Sequence, residues 1–201
     1  MHIFFINPIG RNISLQIIDT EKRTVIESKE IEKTGNDFEI IPQMFVDITK
    51  RYSPTEIWCI TGPGPFTLMR IITLILNSIA YNSPDISLKS CHYFDLITTE
   101  IFKISQKQEI PQVILEANRH EYLIREMNGG DTLIKKEEIS PGIYTGYIDE
   151  SIIPGYTPYT PDTEAILEYF GGKMTDNRLS PLYIKAPNIT IGSKKTTPQF
   201  S

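Results

Sequence analysis

Two glycines and two prolines are packed into Gly62-Pro-Gly-Pro65, between the apolar run Ile57-Trp-Cys-Ile60 and a long apolar stretch that opens at Phe66. A strand, a glycine-rich turn and a helix N-terminus often bind phosphate, because backbone N–H groups converge there. This turn is poor in donors: Pro63 and Pro65 have no N–H, and no Lys-Ser or Lys-Thr pair follows as in a P-loop. The shape suits an anion and the chemistry does not. The segment reads instead as a stiff corner that sets the direction of the helix after it. Arg70 lies one turn into that helix, where burial without a partner would cost several kcal/mol, so it is expected to reach the surface or to pair.

The other reactive side chains are dispersed. His2, His92 and His120 stand alone, without the i, i+4 histidine pair of a helical zinc site. The corner has glycine where a hydrolase's nucleophile elbow would hold serine. Glu116, Arg119 and Glu121 form a charged group between two predicted strands; paired carboxylates can act as acid and base, but turns of this kind are ordinarily solvated. Cys59 and Cys91 have no CxxC spacing and are expected as small core residues in a reducing compartment. Magnesium-dependent phosphoryl transfer would want an Asp at the end of the first strand. That place reads Ile6-Asn-Pro-Ile-Gly10, where Asn7 lacks the charge a hard cation prefers and Pro8 removes a donor, so Asn7-Pro8 reads as a strand-ending turn.

The elements that must position these residues follow from the apolar pattern. Ile3–Ile6 reads as a buried strand, Ile13, Leu15 and Ile17 alternate as in a half-buried one, and a third strand over Thr24 to Glu32 completes a meander. Ile40, Ile41, Met44, Phe45 and Ile48 recur at helical spacing over Asp37 to Lys50, with Asn36 or Asp37 as cap and Pro42 expected to kink the helix or delay its start. Next come the strand Ile57–Ile60, the corner, a helix over Phe66 to Tyr81, a short strand near Ile86 to Leu88 and a helix from about His92 to Lys103. Val113–Leu115, Tyr122–Ile124 and Thr132–Ile134 read as three antiparallel strands, with the turn Asn128-Gly-Gly-Asp131 before the last. Ile139 to Thr160 reads as an ordered connector with a single short strand over Tyr147 to Ile153. Asp162 caps a helix that ends at Gly171-Gly172, Leu182 to Ile184 is apolar, and the tail from Pro187 is polar and expected to be mobile. The order βββαβαβα followed by a second mixed sheet predicts two related α/β lobes, residues 1–106 and 107–201.

The chain has 201 residues, 40% of them hydrophobic, enough to bury a core in one large unit or two of roughly 100 residues each. Its formal charge of −5 gives no general attraction for nucleic acid, so contact with RNA would need a local basic patch or a partner's surface. No apolar segment is long enough to cross a membrane, and Ile3–Ile6 is too short for a signal peptide and has no basic leader, so a cytoplasmic protein is expected.

Gly62-Pro-Gly-Pro-Phe-Thr-Leu-Met-Arg70, after a three-stranded meander and before an apolar helix, resembles the GPGSFTGxR signature of the TsaB (YeaZ) family. Leu115-Glu-Ala-Asn-Arg-His-Glu121 is similar to that family's IDAR-x-GE segment, and Pro181-Leu-Tyr-Ile-Lys185 to its closing P-x-Y-x-R. The three stand in the family's order and take in most of residues 1–185. The resemblance implies an α/β, two-lobed fold of the actin, Hsp70 and sugar-kinase (ASKHA) type, each lobe a mixed sheet with flanking helices. It also implies a non-catalytic subunit that works with the ATP-dependent enzyme TsaD, and with TsaE through the complex. Together these transfer a threonylcarbamoyl group from threonylcarbamoyl-adenylate to an adenosine beside the anticodon of tRNA. ATP and metal are then expected on TsaD and no cofactor on this chain, with tRNA met only through the complex.

In that family, pairing runs through the first two helices of the N-terminal lobe. Ile40, Ile41, Met44, Leu68, Ile72, Ile75 and Ile79 are therefore the expected partner contacts, and Gly62, Pro63, Gly64, Phe66, Thr67 and Arg70 the structural signature. The family also forms homodimers through this surface when TsaD is absent, so a dimer of the isolated chain is expected. The stripe Leu68, Ile72, Ile75, Ile79 fits the chain's own core equally well. The departures are Asn7-Pro8 for the family's Asp-Thr, Pro65 and Leu68 for the Ser and third Gly of the signature, and Ile72, Leu74 and Ser78 for small helix residues. Larger side chains keep helix axes apart, within the usual range of about 8–10 Å, which implies an interface rebuilt with bulkier apolar contacts. Two readings stand beside this one: an independent nucleotide-dependent phosphotransferase of the same fold, and a homodimeric binding module that has drifted from the family.

Overall fold

The computed structural model describes residues 1–33, 37–104, 111–125, 130–148 and 153–183. Strand β1 (His2–Asn7) is buried on both faces, and its alternation sends Ile3 and Phe5 to one side and Phe4 and Ile6 to the other. β4 (Glu56–Gly62) does the same with Trp58 and Ile60 against Ile57 and Cys59. Strands apolar on both faces belong at the centre of a sheet. They lie there, in a sheet ordered β3-β2-β1-β4-β5, with β2 (Asn12–Asp19), β3 (Thr24–Glu32) and β5 (Ser87–His92). β1–β2 and β2–β3 pair antiparallel, and β1–β4 and β4–β5 pair parallel.

The second sheet repeats this plan. Its order is β10-β9-β6-β7-β8, built from β6 (Gln112–Glu116), β7 (Glu121–Arg125), β8 (Asp131–Lys135), β9 (Tyr144–Tyr147) and β10 (Tyr156–Pro158). Read from β8 to β10 it has the strand order and the parallel and antiparallel senses of the first sheet. The sequence reading of two related mixed sheets matches this arrangement. Of the strand expected over Tyr147 to Ile153, residues 149–152 lie outside the described residues; β9 ends at Tyr147 and β10 starts at Tyr156. Gly146 in β9, with φ +133° and a Cβ position 2.1 Å from the carbonyl oxygen of Ile114, shows why no alternating apolar pattern marked the strand.

Helices α1 (Asp37–Tyr52) and α2 (Phe66–Asn82) cover one face of the first sheet, where Ile41, Phe45, Ile72 and Leu76 meet Phe4, Leu15 and Ile57. Pro42 does not delay α1, which begins at Asp37 and carries the proline inside; the candidate cap Asn36 lies outside the described residues. On the other face, α3 (Tyr93–Ile104) and α4 (Thr163–Gly171) share one continuous core with both sheets, in which Ile3, Trp58, Phe94, Val113, Ile166 and Phe170 pack together. Phe170 stacks on Trp58 with centroids 5.0 Å apart and meets Phe5 edge-on at 5.9 Å. Asp162 caps α4 as its position predicted, accepting a hydrogen bond from Ala165 N at 2.8 Å. Among the described residues, no helix is long and apolar enough to cross a membrane.

After α4 the chain returns to the first sheet. Asp176 N donates to Leu88 O at 2.7 Å along the edge of β5, Leu179 is buried with the α1 and α2 core, and Leu182 N donates to Thr61 O at 2.8 Å. Residues 173–183 therefore form a strap over the first sheet and its helices, although they follow the second sheet in sequence. The expected boundary at 106/107 and the tail from Pro187 lie outside the described residues.

Candidate interaction site around the glycine-proline corner

β4 delivers the chain to the corner with Thr61 buried, its hydroxyl donating to Cys91 O at 3.3 Å. Gly62 has φ +140°, a conformation that L side chains rarely adopt, and the Gly62–Pro63 peptide is cis. A Cβ at Gly62 would fall 2.3 Å from the carbonyl oxygen of Leu182. The glycine is thus required by the strap, whose backbone passes directly over the turn. Pro65 stands at the N-cap of α2 and contributes no side-chain hydrogen bond; its carbonyl accepts from Met69 N at 3.0 Å. The inner side of the corner holds the chain's own backbone, which agrees with its shortage of donors for an anion.

The strap is fixed by one polar residue of the mainly apolar helix α2. Asn77 Nδ2 donates to Leu179 O at 2.9 Å, and Asn77 Oδ1 accepts from Leu179 N at 2.7 Å, so the side-chain amide imitates a strand partner. Further back, Ser90 Oγ donates to Asp176 Oδ2 at 2.6 Å and Lys173 Nζ to Ser90 O at 3.0 Å. An amide set among the apolar residues at the middle of α2 was the available signal for this clasp.

The expected contact residues divide by burial. Ile41, Leu68, Ile72 and Ile79 are at most 9% exposed and belong to the core beneath α1 and α2. They are committed to this chain, and the stripe named for a partner is mostly the inward face. Met44 and Ile75 are half-buried at its margin, and Ile40 is exposed. The outward face of α2 comprises Thr67, Arg70, Ile71, Leu74, Ser78 and Tyr81, with Leu74 66% and Tyr81 87% exposed. Arg70 reaches the surface, one of its two expected outcomes. Ile40 and Met44 border a second groove of about 470 Å³ between α1 and β3. There Glu27 meets Lys29 at 3.1 Å and Arg51 at 3.2 Å, and the Tyr52 hydroxyl, more than Lys29, holds the Glu27 carboxyl below its usual range.

The remaining candidates are occupied locally. Asn7 is buried and its Oδ1 accepts from Ile9 N at 2.9 Å, closing the turn predicted at this strand end. Its side chain is therefore spent on the backbone, and neither it nor Pro8 fits the first-strand Asp that would handle magnesium. Glu116 pairs with Lys136, and Glu121 accepts from Asn118 Nδ2 at 2.7 Å. Cys59 and Cys91 are buried in the core, where desolvation pushes both thiols far up and leaves them unreactive. Among the described residues no three His, Cys, Asp or Glu side chains gather as a metal site would need.

His92 bridges the two sheets, from β5 to β8. Its Nδ1 accepts from Phe94 N at 3.1 Å and its Nε2 lies 3.6 Å from Asp131, which Arg125 grips at 2.6 and 3.0 Å while also pairing with Asp95. Burial, and then Arg125, lower the imidazole below its ordinary 6.5 against the opposing pull of Asp95 and Asp131. Because the unfolded chain takes up this proton first, the contribution of His92 is present above pH 6.5 and is lost as pH falls through the lower folded value. Urea midpoints for wild type and His92→Gln are expected to converge on acidification from about pH 7.5 to 5.5. A constant gap across that range would contradict the assignment.

Among solved structures, the fold is similar to that of a Pseudomonas aeruginosa protein described as uncharacterized with similarity to the peptidase YEAZ. The identity is 12%, the TM-score 0.59, and the match covers 92% of this chain and 99% of that one. YeaZ from Pseudomonas aeruginosa matches at 13% identity and TM-score 0.55, over 85% of this chain and 91% of that one. Likeness at these identities establishes a common fold. No protein-family model and no curated protein sequence matches the chain.

Proposed function

We propose that this chain is a TsaB-like, non-catalytic partner subunit. It pairs with a TsaD homologue in the transfer of a threonylcarbamoyl group to the adenosine beside the anticodon of tRNA, with TsaE joining through the complex. In this reading the fold is the two-lobed ASKHA type, ATP and metal belong to TsaD, and tRNA is met only through the assembly. The supporting observation is the outward face of α2, on a YeaZ-like fold, which leaves Leu74 at mid-helix and Tyr81 near its C-terminal end in water. Exposed side chains of this size on one helix face are characteristic of contact surfaces.

The chain's own residues supply direction and rigidity. The corner fixes where α2 starts, Leu68, Ile72 and Leu76 seat it on the first sheet, and the strap braces its flank through Asn77. A helix held on three sides presents its fourth without first having to order, which lowers the entropic cost of association.

Titration of the chain into the organism's TsaD homologue is expected to give a one-to-one complex. Leu74→Glu, which alters an exposed position, is expected to weaken it by at least about a hundredfold, as loss of a central apolar anchor does, while leaving the melting temperature unchanged. Binding that Leu74→Glu does not change would remove α2 from the interface.

A further inference from the structure

A groove of about 430 Å³ runs along the outward face of α2, with the strap as its other wall. Arg70, Ile71 and Leu74 form the helix side, and Arg178, Pro181 and Tyr183 the strap side. The strap wall is anchored at Leu179 by both atoms of the Asn77 amide and at Leu182 by Thr61. Its exposed surface is more apolar than polar, with Thr67, Thr73, Asn77 and Ser180 also in the lining, and Leu74 stands open to water. Among the described residues, two arginines line the groove and no Asp or Glu does. The carboxylate of Asp176, two residues before Arg178, is turned to β5, where it accepts from Ser90.

Building on the partner-subunit reading, we infer that this groove receives an amphipathic helix whose apolar stripe is flanked by Asp or Glu, supplied by a different protein and not by a second copy of this chain. A mostly apolar surface beside a fixed wall is the setting for helix-in-groove recognition, and the two arginines select the sign of the flanking charge. A second copy fits poorly, because Arg70 is the sole charged residue of α2, and apposing two such faces brings four arginines together. The chain's own end fits no better: residues 184–201 contain Lys185, Lys194 and Lys195 and no Asp or Glu.

Two helical peptides with the same leucine stripe, one flanked by Glu and one by Lys, test the groove directly. With the full chain, amide shifts confined to residues 67–78 and 178–183 are expected, with the Glu peptide bound at least about fivefold tighter and the preference fading between about 50 and 500 mM salt as charges are screened. Arg178→Glu should reverse the order of the two peptides. Equal affinities, or shifts elsewhere on the protein, would overturn the inference. Against the TsaD homologue, Arg178→Glu should weaken binding about tenfold at low salt, and alone it should self-associate more than wild type. Undiminished TsaD binding would overturn the groove assignment and leave the partner reading standing. Peptide preference without any TsaD binding by wild type would support the groove and remove that reading.

Discussion

Gly62→Ala is expected to detach the strap and lower stability by about 2–4 kcal/mol, combining the strain of a positive φ with a backbone collision. The added methyl would lie 2.3 Å from Leu182 O, and a backbone carbonyl, on a residue whose own N–H is bonded to Thr61 O, cannot move aside as a side-chain tip can. Relief requires giving up the Leu182–Thr61 hydrogen bond and disturbing Leu179, which is 2% exposed in the core. Gly64 is the control. Its added methyl would meet Met69 Cε at 2.7 Å and Ile9 Cδ1 at 3.2 Å, both ends of flexible side chains, so Gly64→Ala should cost on the order of 1 kcal/mol. Denaturant midpoints and the rate of proteolysis within residues 173–183 separate the two variants. Equal losses, or Gly62→Ala with its strap still protected, would show that the glycine is not there to admit the strap.

Lys89→Met should cost a comparable amount through a different mechanism. Lys89 is 7% exposed in the edge strand β5, 3.1 Å from Glu56, 5.3 Å from the Trp58 ring centre, and donates to Phe170 O at 3.2 Å near the end of α4. One cation thus satisfies a carboxylate and a carbonyl at a helix C-terminus, where positive charge is favoured. Removing it strands Glu56, which still accepts from the Trp58 indole. The expected loss is about 2–4 kcal/mol, somewhat below that of a fully buried pair, because the Glu56 side chain stays 19% exposed. Adding Glu56→Gln to Lys89→Met should recover part of the loss, since it removes the orphaned charge. Strict additivity of the two substitutions would contradict the coupling.

Much of the fold is legible in local pattern. β1 and β4 announce themselves as apolar runs, and Asn7, Asp162 and the two cysteines do in the structure what their positions predicted. The strap was not legible: residues 173–183 have no period, and their partners, Asn77, Leu88 and Thr61, are about a hundred residues away in the chain. Long-range backbone pairing of an irregular segment leaves only single polar residues as its trace.

The sequence left the stripe of α2 open between partner contact and core for a related reason. Leu68, Ile72, Ile75 and Ile79 recur at helical spacing, but so do Ile71 and Leu74 on the opposite side, and a helix apolar nearly all round does not reveal from sequence which stripe faces the sheet. Burial resolves it and moves the candidate contact from Ile72 and Ile79 to Leu74 and Tyr81. The second sheet was found in its first three strands and lost in its last two, where Gly146 and Pro158 interrupt the alternation that marks a strand.

The most direct measurement is the threonylcarbamoyladenosine content of tRNA, by mass spectrometry of nucleosides, in cells depleted of their own TsaB and supplied with this chain together with its cognate TsaD homologue. The modification is expected to return with the wild-type chain and to stay absent with Leu74→Glu at equal protein level. No return with wild-type chain, or full return with Leu74→Glu, would contradict a partner subunit acting through the outward face of α2.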